Sequence, residues 1–429
     1  MRYFPIDKQL FVNNRNKLRS NLPANSLVVL HSNDIMPTSA DGTMPFKQHS
    51  DIFYLSGIDQ EESILVICPD HPDENLREVL FLRETSEEIA IWEGHKYTKE
   101  EATQTSGIKN IKWLPTFNQT LNTIMGQVEH VYLNSNEHLR NGNEVETREM
   151  RFTKWCIEHY PLHTYKRLAP IMHDLRAVKS QIEIALLQQA CDITEQGFRR
   201  ILNFVKPGVW EYEIEAEYIH EFIKSRSNGF GYTPIIASGA NACVLHYIDN
   251  NQQCKDGDML LMDVGANYAN YNADLSRTIP VNGRFTARQK AVYNAVLHVQ
   301  REAFKLLRPG NTIPEYHKQV GELMTEQLLN LGLLDKTDVK NQNPDMPAYK
   351  KYFMHGTSHH LGLDVHDYGN WYGKIKEGMV LTVEPGIYIR EEGLGIRLEN
   401  DIVITAEGIH DLMRNIPIEV EEIEELMNS

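Results

Sequence analysis

Four histidines fall within twelve residues of the stretch FMHGTSHHLGLDVHDY, which runs from Phe353 to Tyr368: His355, His359, His360 and His366. Imidazole binds metals and carries protons near neutral pH. Carboxylates elsewhere close apolar runs: Asp263 follows Met259-Leu260-Leu261-Met262, and Glu384 follows Val380-Leu381-Thr382-Val383. A charge in that position is costly to bury unless it is paired or binds a cation. Asp274 lies 11 residues after Asp263, and Glu399 lies 15 after Glu384 across a glycine-containing stretch. Both lengths suit a hairpin that returns the second acid beside the first. Arg397, two residues before Glu399, shares its strand face and can orient a carboxylate from behind. Carboxylate oxygens with one imidazole and no thiolate suit Mn²⁺, Fe²⁺, Co²⁺ or Zn²⁺. Four carboxylates can hold two such ions about 3.5–4 Å apart, the arrangement used for hydrolysis. A lone Asp at a strand end is usually a turn cap, and Asp364 and Asp401 are read that way. His355 and His359 have helical spacing, but Gly356 and Gly362 argue against a helix, so the segment is placed on a strand with flanking turns.

The elements that must position these groups occur twice. Ser180 caps a helix with Glu183 three residues on, and Pro207-Gly208 stops it; a second helix runs over 211–225. The pattern returns in a helix over 286–308, stopped by Pro309-Gly310, and another from Pro314. The strand around Asp263 and the strand around Glu384 each carry an acid six residues after one glycine (Gly257, Gly378) and two before the next (Gly265, Gly386). His246 and His366 precede Gly257 and Gly378 at nearly the same distance and read as counterparts. Residues 173–429 therefore read as two related helix-helix-strand halves, with an insertion over 334–352. Ahead of them, Ser26–Leu30, Ser63–Ile67 and Glu78–Leu82 read as buried strands of a mixed α/β layer.

Bulk properties bound the rest. The chain has 429 residues, which predicts two or three domains, and is 41% hydrophobic and 24% charged, the composition of a soluble globular protein. Lys and Arg number 43 against 59 Asp and Glu, for a net charge of −16, which opposes a nucleic-acid surface. No run of 18 apolar residues marks a membrane span, and the start (MRYFPIDKQLFV) lacks the pattern of a secretory signal. Five scattered cysteines form no C-x-x-C pair and point to the reducing cytoplasm.

At the motif level the chain resembles the creatinase/aminopeptidase P/prolidase family of metallopeptidases. The resemblance spans the whole chain and is carried by His355–His359, Leu361–Asp367, Met262–Gly265, Ala273–Thr278, Val383–Gly386 and Gly395–Asn400. It implies an α/β (α+β) protein, with a ribonuclease-H-like N-terminal domain over 1–172 and a catalytic pita-bread domain of pseudo-twofold symmetry over 173–429. It implies two divalent ions, usually Mn²⁺ with Co²⁺, Fe²⁺ and Zn²⁺ as alternatives, on Asp263, Asp274, His359, Glu384 and Glu399. Glu384, His246, His355 and His366 become catalytic candidates, while Arg397, Tyr388 and Trp92 are substrate-binding or supporting residues. The segments Gln48–Gly57 and Ile91–Lys96 resemble the N-terminal domain of the aminopeptidase P branch, in which a tryptophan matched by Trp92 helps wall the active site. The implied activity is release of the first residue from peptides with proline second, through water shared by the two ions. Dipeptide-only prolidase is the near rival, and a non-catalytic pita-bread binding module the distant one. Peptides are the expected partners, with no nucleic acid or membrane, in a homodimer or homotetramer. His360 departs from the family, where an aromatic or apolar residue is common.

Overall fold

The computed structural model describes residues 2–142 and 144–429. The chain forms two compact units, Pro5–Leu175 and Arg176–Ser429, the second also taking in Met1–Phe4. The N-terminal unit is built on a six-stranded sheet in the order Asn110–Trp113, Glu78–Leu82, Ile64–Ile67, Ser26–His31, His130–Leu133, Thr164–Arg167. The three expected strands are its antiparallel centre, and parallel pairs flank them, so the sheet is mixed. Leu27, Val28, Val29 and Leu30 are all buried, which explains why that strand reads as a continuous apolar run rather than an alternating one. Leu27 and Val29 join Phe81, Phe117, Leu121 and Ile124 in the core of this unit.

The C-terminal unit repeats one plan. Helices Gln181–Phe204 and Glu211–Lys224 open the first half; helices Ala287–Leu306 and Ile313–Asn330 open the second. Capping boxes at Ser180/Glu183, Thr286/Gln289 and Thr312/Glu315 set three of the four starts. Each half then contains one long hairpin whose ladder is broken in the middle. In the first, Met259–Val264 pairs with Leu275–Pro280, and Ala266–Tyr268 pairs with Tyr271–Asn272 in the same register. In the second, Val380–Val383 pairs with Asn400–Thr405, and Gly386–Ile389 pairs with Leu394–Arg397, again in one register. The first hairpin turns on Ala269 and Asn270, both at positive φ (52° and 66°), the backbone of a type I′ turn.

The breaks fall where the carboxylates are. Pro385 has no N–H to give the second ladder. In the first, Gly265 and Ala273 cross so closely that a Cβ on Gly265 would lie 1.7 Å from the Ala273 carbonyl oxygen. The twofold relation is approximate here: with Asp263 matched to Glu384, the residue across the ladder from Asp263 is Ser276, so Ser276 and not Asp274 holds the position that Glu399 holds in the second hairpin.

The histidine-rich segment is not the expected strand. It is irregular, with one antiparallel bridge from His360 to Leu381 beside backbone hydrogen bonds from Glu384 to Thr357, from Thr382 to His359 and from Leu361 to Val380. Its counterpart in the first half, Ile235–Ser238, forms a full strand on Met259–Val264. In the histidine-rich segment the Gly362 carbonyl instead accepts from the backbone and side-chain amides of Asn272, which draws the chain away from the sheet. The insertion holds a short helix, Lys336–Lys340, and a 3₁₀ turn, Ala348–Lys351; Tyr349 fills the space beside Gly321 of the preceding helix. Gly265→Ala is expected to destabilise the chain by about 3 kcal/mol, at the upper end of overpacking costs, because backbone rather than a flexible side chain must yield. Urea unfolding of the variant checks this.

Candidate metal centre

Asp263 stands near the end of Met259–Val264, Asp274 immediately before Leu275–Pro280, Glu384 immediately after Val380–Val383, and Glu399 immediately before Asn400–Thr405. The two broken hairpins thus bring all four carboxylates to one place. Asp274, His359 and Glu399 each offer a ligand atom, and these atoms lie within 4.8 Å of one another. His359 Nε2 is 3.4 Å from Asp274 Oδ2 and 3.8 Å from Glu384 Oε1. Asp263 joins through Tyr232, whose hydroxyl lies 2.6 Å from both Asp263 Oδ1 and Asp274 Oδ1.

A shell of donors fixes these groups. Arg397 donates from Nη2 to Asp263 Oδ2 (2.6 Å), from Nε to Ser276 Oγ (2.8 Å) and from Nη1 to the Tyr388 hydroxyl (2.9 Å). Ser276 in turn donates to Glu399 Oε2 at 2.8 Å. His355 Nδ1 is 2.7 Å from the Gly356 carbonyl, which can only accept, so the proton sits on Nδ1 and Nε2 accepts from Tyr388 at 2.8 Å. Asp401 is more than the turn cap expected from sequence. It is fully buried, its Oδ2 accepts from the Asp274 backbone N–H at 3.0 Å, and so it fixes the chain at Asp274. Asp364 accepts from the buried Arg176.

The electrostatics call for a cation. Burial, then the neighbouring carboxylates, pushes Asp274 and Glu399 well above the usual carboxylate range. Burial also raises Glu384 to about 7, against the opposing pull of His359 and Arg397. Burial, followed by Asp263 and Asp274, drives the Tyr232 hydroxyl well above its ordinary value. The decisive contact is at His359. Its Nδ1 donates to the His360 carbonyl at 2.9 Å, which leaves Nε2 as a lone pair aimed at carboxylate oxygens. Acceptors that face acceptors need a proton or a metal between them, and a ring held by a carbonyl behind it is the usual bearing of a metal-ligating histidine. An oxygen-rich set with one imidazole fits a hard or borderline divalent ion.

The other expected residues divide. His366 packs against His359 with ring centroids 4.0 Å apart and the rings tilted at 42°, and Tyr388 and Arg397 are in the network above. His246 is exposed in a turn and close enough to His355 to be the smallest of the causes that lower it to about 3; burial is the largest. Trp92 belongs to the N-terminal unit, on helix Glu87–Glu93, with 83% of its surface exposed. His360 is buried, its ring packed on Gly369. Sequence reasoning missed Tyr232 and Ser276. Tyr232 sits in Gly231-Tyr232-Thr233-Pro234 with no periodic signal, whereas Ser276 was within reach as the residue opposite Asp263.

Residues 185–406 match the profile of metallopeptidase family M24, and residues 11–132 match that of the aminopeptidase P N-terminal domain. The chain is 35% identical to the Xaa-Pro aminopeptidase of Escherichia coli K12 over 437 residues, 98% of each chain. It is 30% identical to human Xaa-Pro aminopeptidase 3, over 93% of this chain and 80% of that one. Zinc-substituted E. coli aminopeptidase P in complex with product superposes with a TM-score of 0.89 at 33% identity, over 99% of each chain. The Pseudomonas aeruginosa aminopeptidase PepP gives 0.90 at 30%, over 100% of this chain and 99% of that one. With its carboxylates and His359 gathered by two broken hairpins of a pita-bread fold, the chain belongs to metallopeptidase family M24 and is a hydrolase that carries the aminopeptidase P N-terminal domain.

Proposed function

We propose that the chain is a Xaa-Pro aminopeptidase that releases the first residue of peptides with proline second. The observation that carries this reading is the convergence of Asp274, His359 and Glu399, with Glu384 and Asp263 beside them, in a chain similar over its full length to Xaa-Pro aminopeptidases. The ligands we assign are Asp263, Asp274, His359, Glu384 and Glu399, holding two divalent ions, with Mn²⁺ preferred over Co²⁺, Fe²⁺ and Zn²⁺. The bound ions supply polarisation of the scissile carbonyl and a more acidic water.

The chain's own residues do the rest. A bond to proline is a tertiary amide without an N–H, and as in any amide its nitrogen must receive a proton to depart. Glu384, 3.8 Å from His359 Nε2 and 3.5 Å from His355 Nδ1 at the edge of the cluster, is placed to take a proton and return it to that nitrogen. Both nitrogens of His355 are engaged, by Gly356 and Tyr388, so it holds Tyr388 and faces Glu384 at 3.5 Å. His246, exposed in its turn, and His366, against the His359 ring, are the histidines we assign to hydrogen-bond the developing oxyanion. The acidic cluster also suits a free substrate α-ammonium group, which favours exo- over endo-cleavage. The N-terminal domain and the full-length relatives weigh against a dipeptide-only prolidase. Five free, buried cysteines fit the cytoplasm, and the family resemblance supports a homodimer or homotetramer.

Three outcomes are expected. Chelator-stripped enzyme given Mn²⁺ should release Xaa from Xaa-Pro-Yaa-Zaa; cleavage of Xaa-Pro alone would move the assignment to prolidase. Glu384→Gln should lower kcat by about 10³-fold, within the usual range for loss of a general base, and His359→Ala should weaken Mn²⁺ binding by about 100-fold. Wild-type values in these two variants would refute the assigned roles. The third outcome concerns pH. The stability that raised carboxyls such as Glu384 contribute is complete below their ordinary value near 4.5 and is lost as pH climbs through about 7. Buried His355 and His360, each lowered to about 3, act oppositely: stability is complete above 6.5 and falls below it. In chelator-stripped protein the two effects oppose each other between about pH 4.5 and 6.5, and Mn²⁺ should remove the carboxyl loss but not the histidine one, so the gain in Tm on adding Mn²⁺ should grow as pH climbs from 4.5 to 7. Calorimetry across pH with and without Mn²⁺ reads this gain.

A further inference from the structure

The metal-binding segment is held from two sides. On one side strand Val380–Val383 and its extension grip it: Glu384 N–H donates to the Thr357 carbonyl (2.8 Å), Thr382 N–H to the His359 carbonyl (3.0 Å), and His359 N–H to Thr382 Oγ1 (3.2 Å). These bonds leave the Ser358 N–H pointing away from the strand. Ser358 is buried, so that donor needs a partner inside the protein. The partner is His317 Nε2, at 3.2 Å, on helix Ile313–Asn330.

The surroundings of His317 are shaped for this contact. Burial lowers its pKa to about 4, so the ring is neutral at pH 7 and Nε2 remains an acceptor. Trp371 meets the ring edge-on at 5.2 Å between centroids and limits its rotation. Gly356 lets the ring approach, since a Cβ there would lie 3.0 Å from His317 Cε1. A helix with no residue in the carboxylate cluster thus reaches the backbone one residue before His359.

We propose that His317 is a positioning residue for the metal centre: by accepting the Ser358 N–H through Nε2, it fixes the backbone from which His359 projects. This rests on His359 being a metal ligand, as proposed above. The aliphatic His317→Leu removes the acceptor, while His317→Gln keeps an acceptor near the same place.

The test compares Mn²⁺ titration of chelator-stripped wild type, H317L and H317Q by calorimetry, with kcat and KM for a Xaa-Pro peptide and thermal melts of the metal-free proteins. H317L is expected to weaken Mn²⁺ binding about tenfold and to lower kcat with KM nearly unchanged, and H317Q to recover most of both. Wild-type Mn²⁺ affinity in H317L would overturn the proposal. So would H317Q as impaired as H317L, because the ring would then matter for packing alone. If H317L does not fold, H317Q decides: near-wild-type affinity supports the role of the acceptor, and a tenfold loss refutes it. Should the wild type bind Mn²⁺ yet cleave no peptide, the aminopeptidase reading fails while the affinity comparison still decides the role of His317.

Discussion

Carboxylates that share a buried space repel one another, and the C-terminal unit is organised around tolerating that repulsion. Asp263, Asp274, Glu384 and Glu399 crowd together with one guanidinium, Arg397, hydrogen-bonded directly to a member of the group. Arg397 reaches Asp263 itself, Glu399 through Ser276, and His355 through Tyr388. One cation does not offset four acids, so the remaining charge is met by protons, as the raised carboxyls record, or by metal ions. The cluster is thus unfavourable when empty and strongly favourable when filled, the balance expected of a centre selected for binding rather than for stability.

The broken hairpins serve the same gathering. In each shared register Glu384 falls opposite Glu399 and Asp263 lies diagonal to Asp274, so each pair of acids shares one face of its ribbon. At Glu384-Pro385, proline withholds a donor; at Gly265, the absent side chain lets two backbones cross. At each break the backbone beside a carboxylate finds another partner: the Asp274 N–H donates to Asp401 and the Glu384 N–H to the Thr357 carbonyl. The flanking ladders, buried and in shared register, hold the breaks in place.

Support reaches the centre through backbone groups as well as side chains. Asp401 holds the Asp274 N–H, the His360 carbonyl holds the His359 ring, and the Glu384 and Thr382 amides hold the segment around His359. Such contacts leave little trace in residue type, because any residue supplies an N–H or a carbonyl.

Much of this was legible in the chain itself. The capping boxes at Ser180, Thr286 and Thr312 mark helix starts through local hydrogen bonds, and local chemistry is what a sequence specifies most directly. The acids that close the apolar runs announced themselves because an unpaired buried charge is too costly to be incidental. The histidine-rich segment misled, since its path depends on Asn272, some ninety residues earlier, drawing Gly362 off the sheet. Tyr232, Asp401 as a support and His317 could not be read in advance for the same reason: each acts on a partner remote in sequence. The sequence by itself determined the elements, the duplication and the chemical types at the centre, because these follow from local propensity and the cost of burying charge. Only the tertiary structure decided which acceptor meets which donor, because that depends on how distant backbones cross.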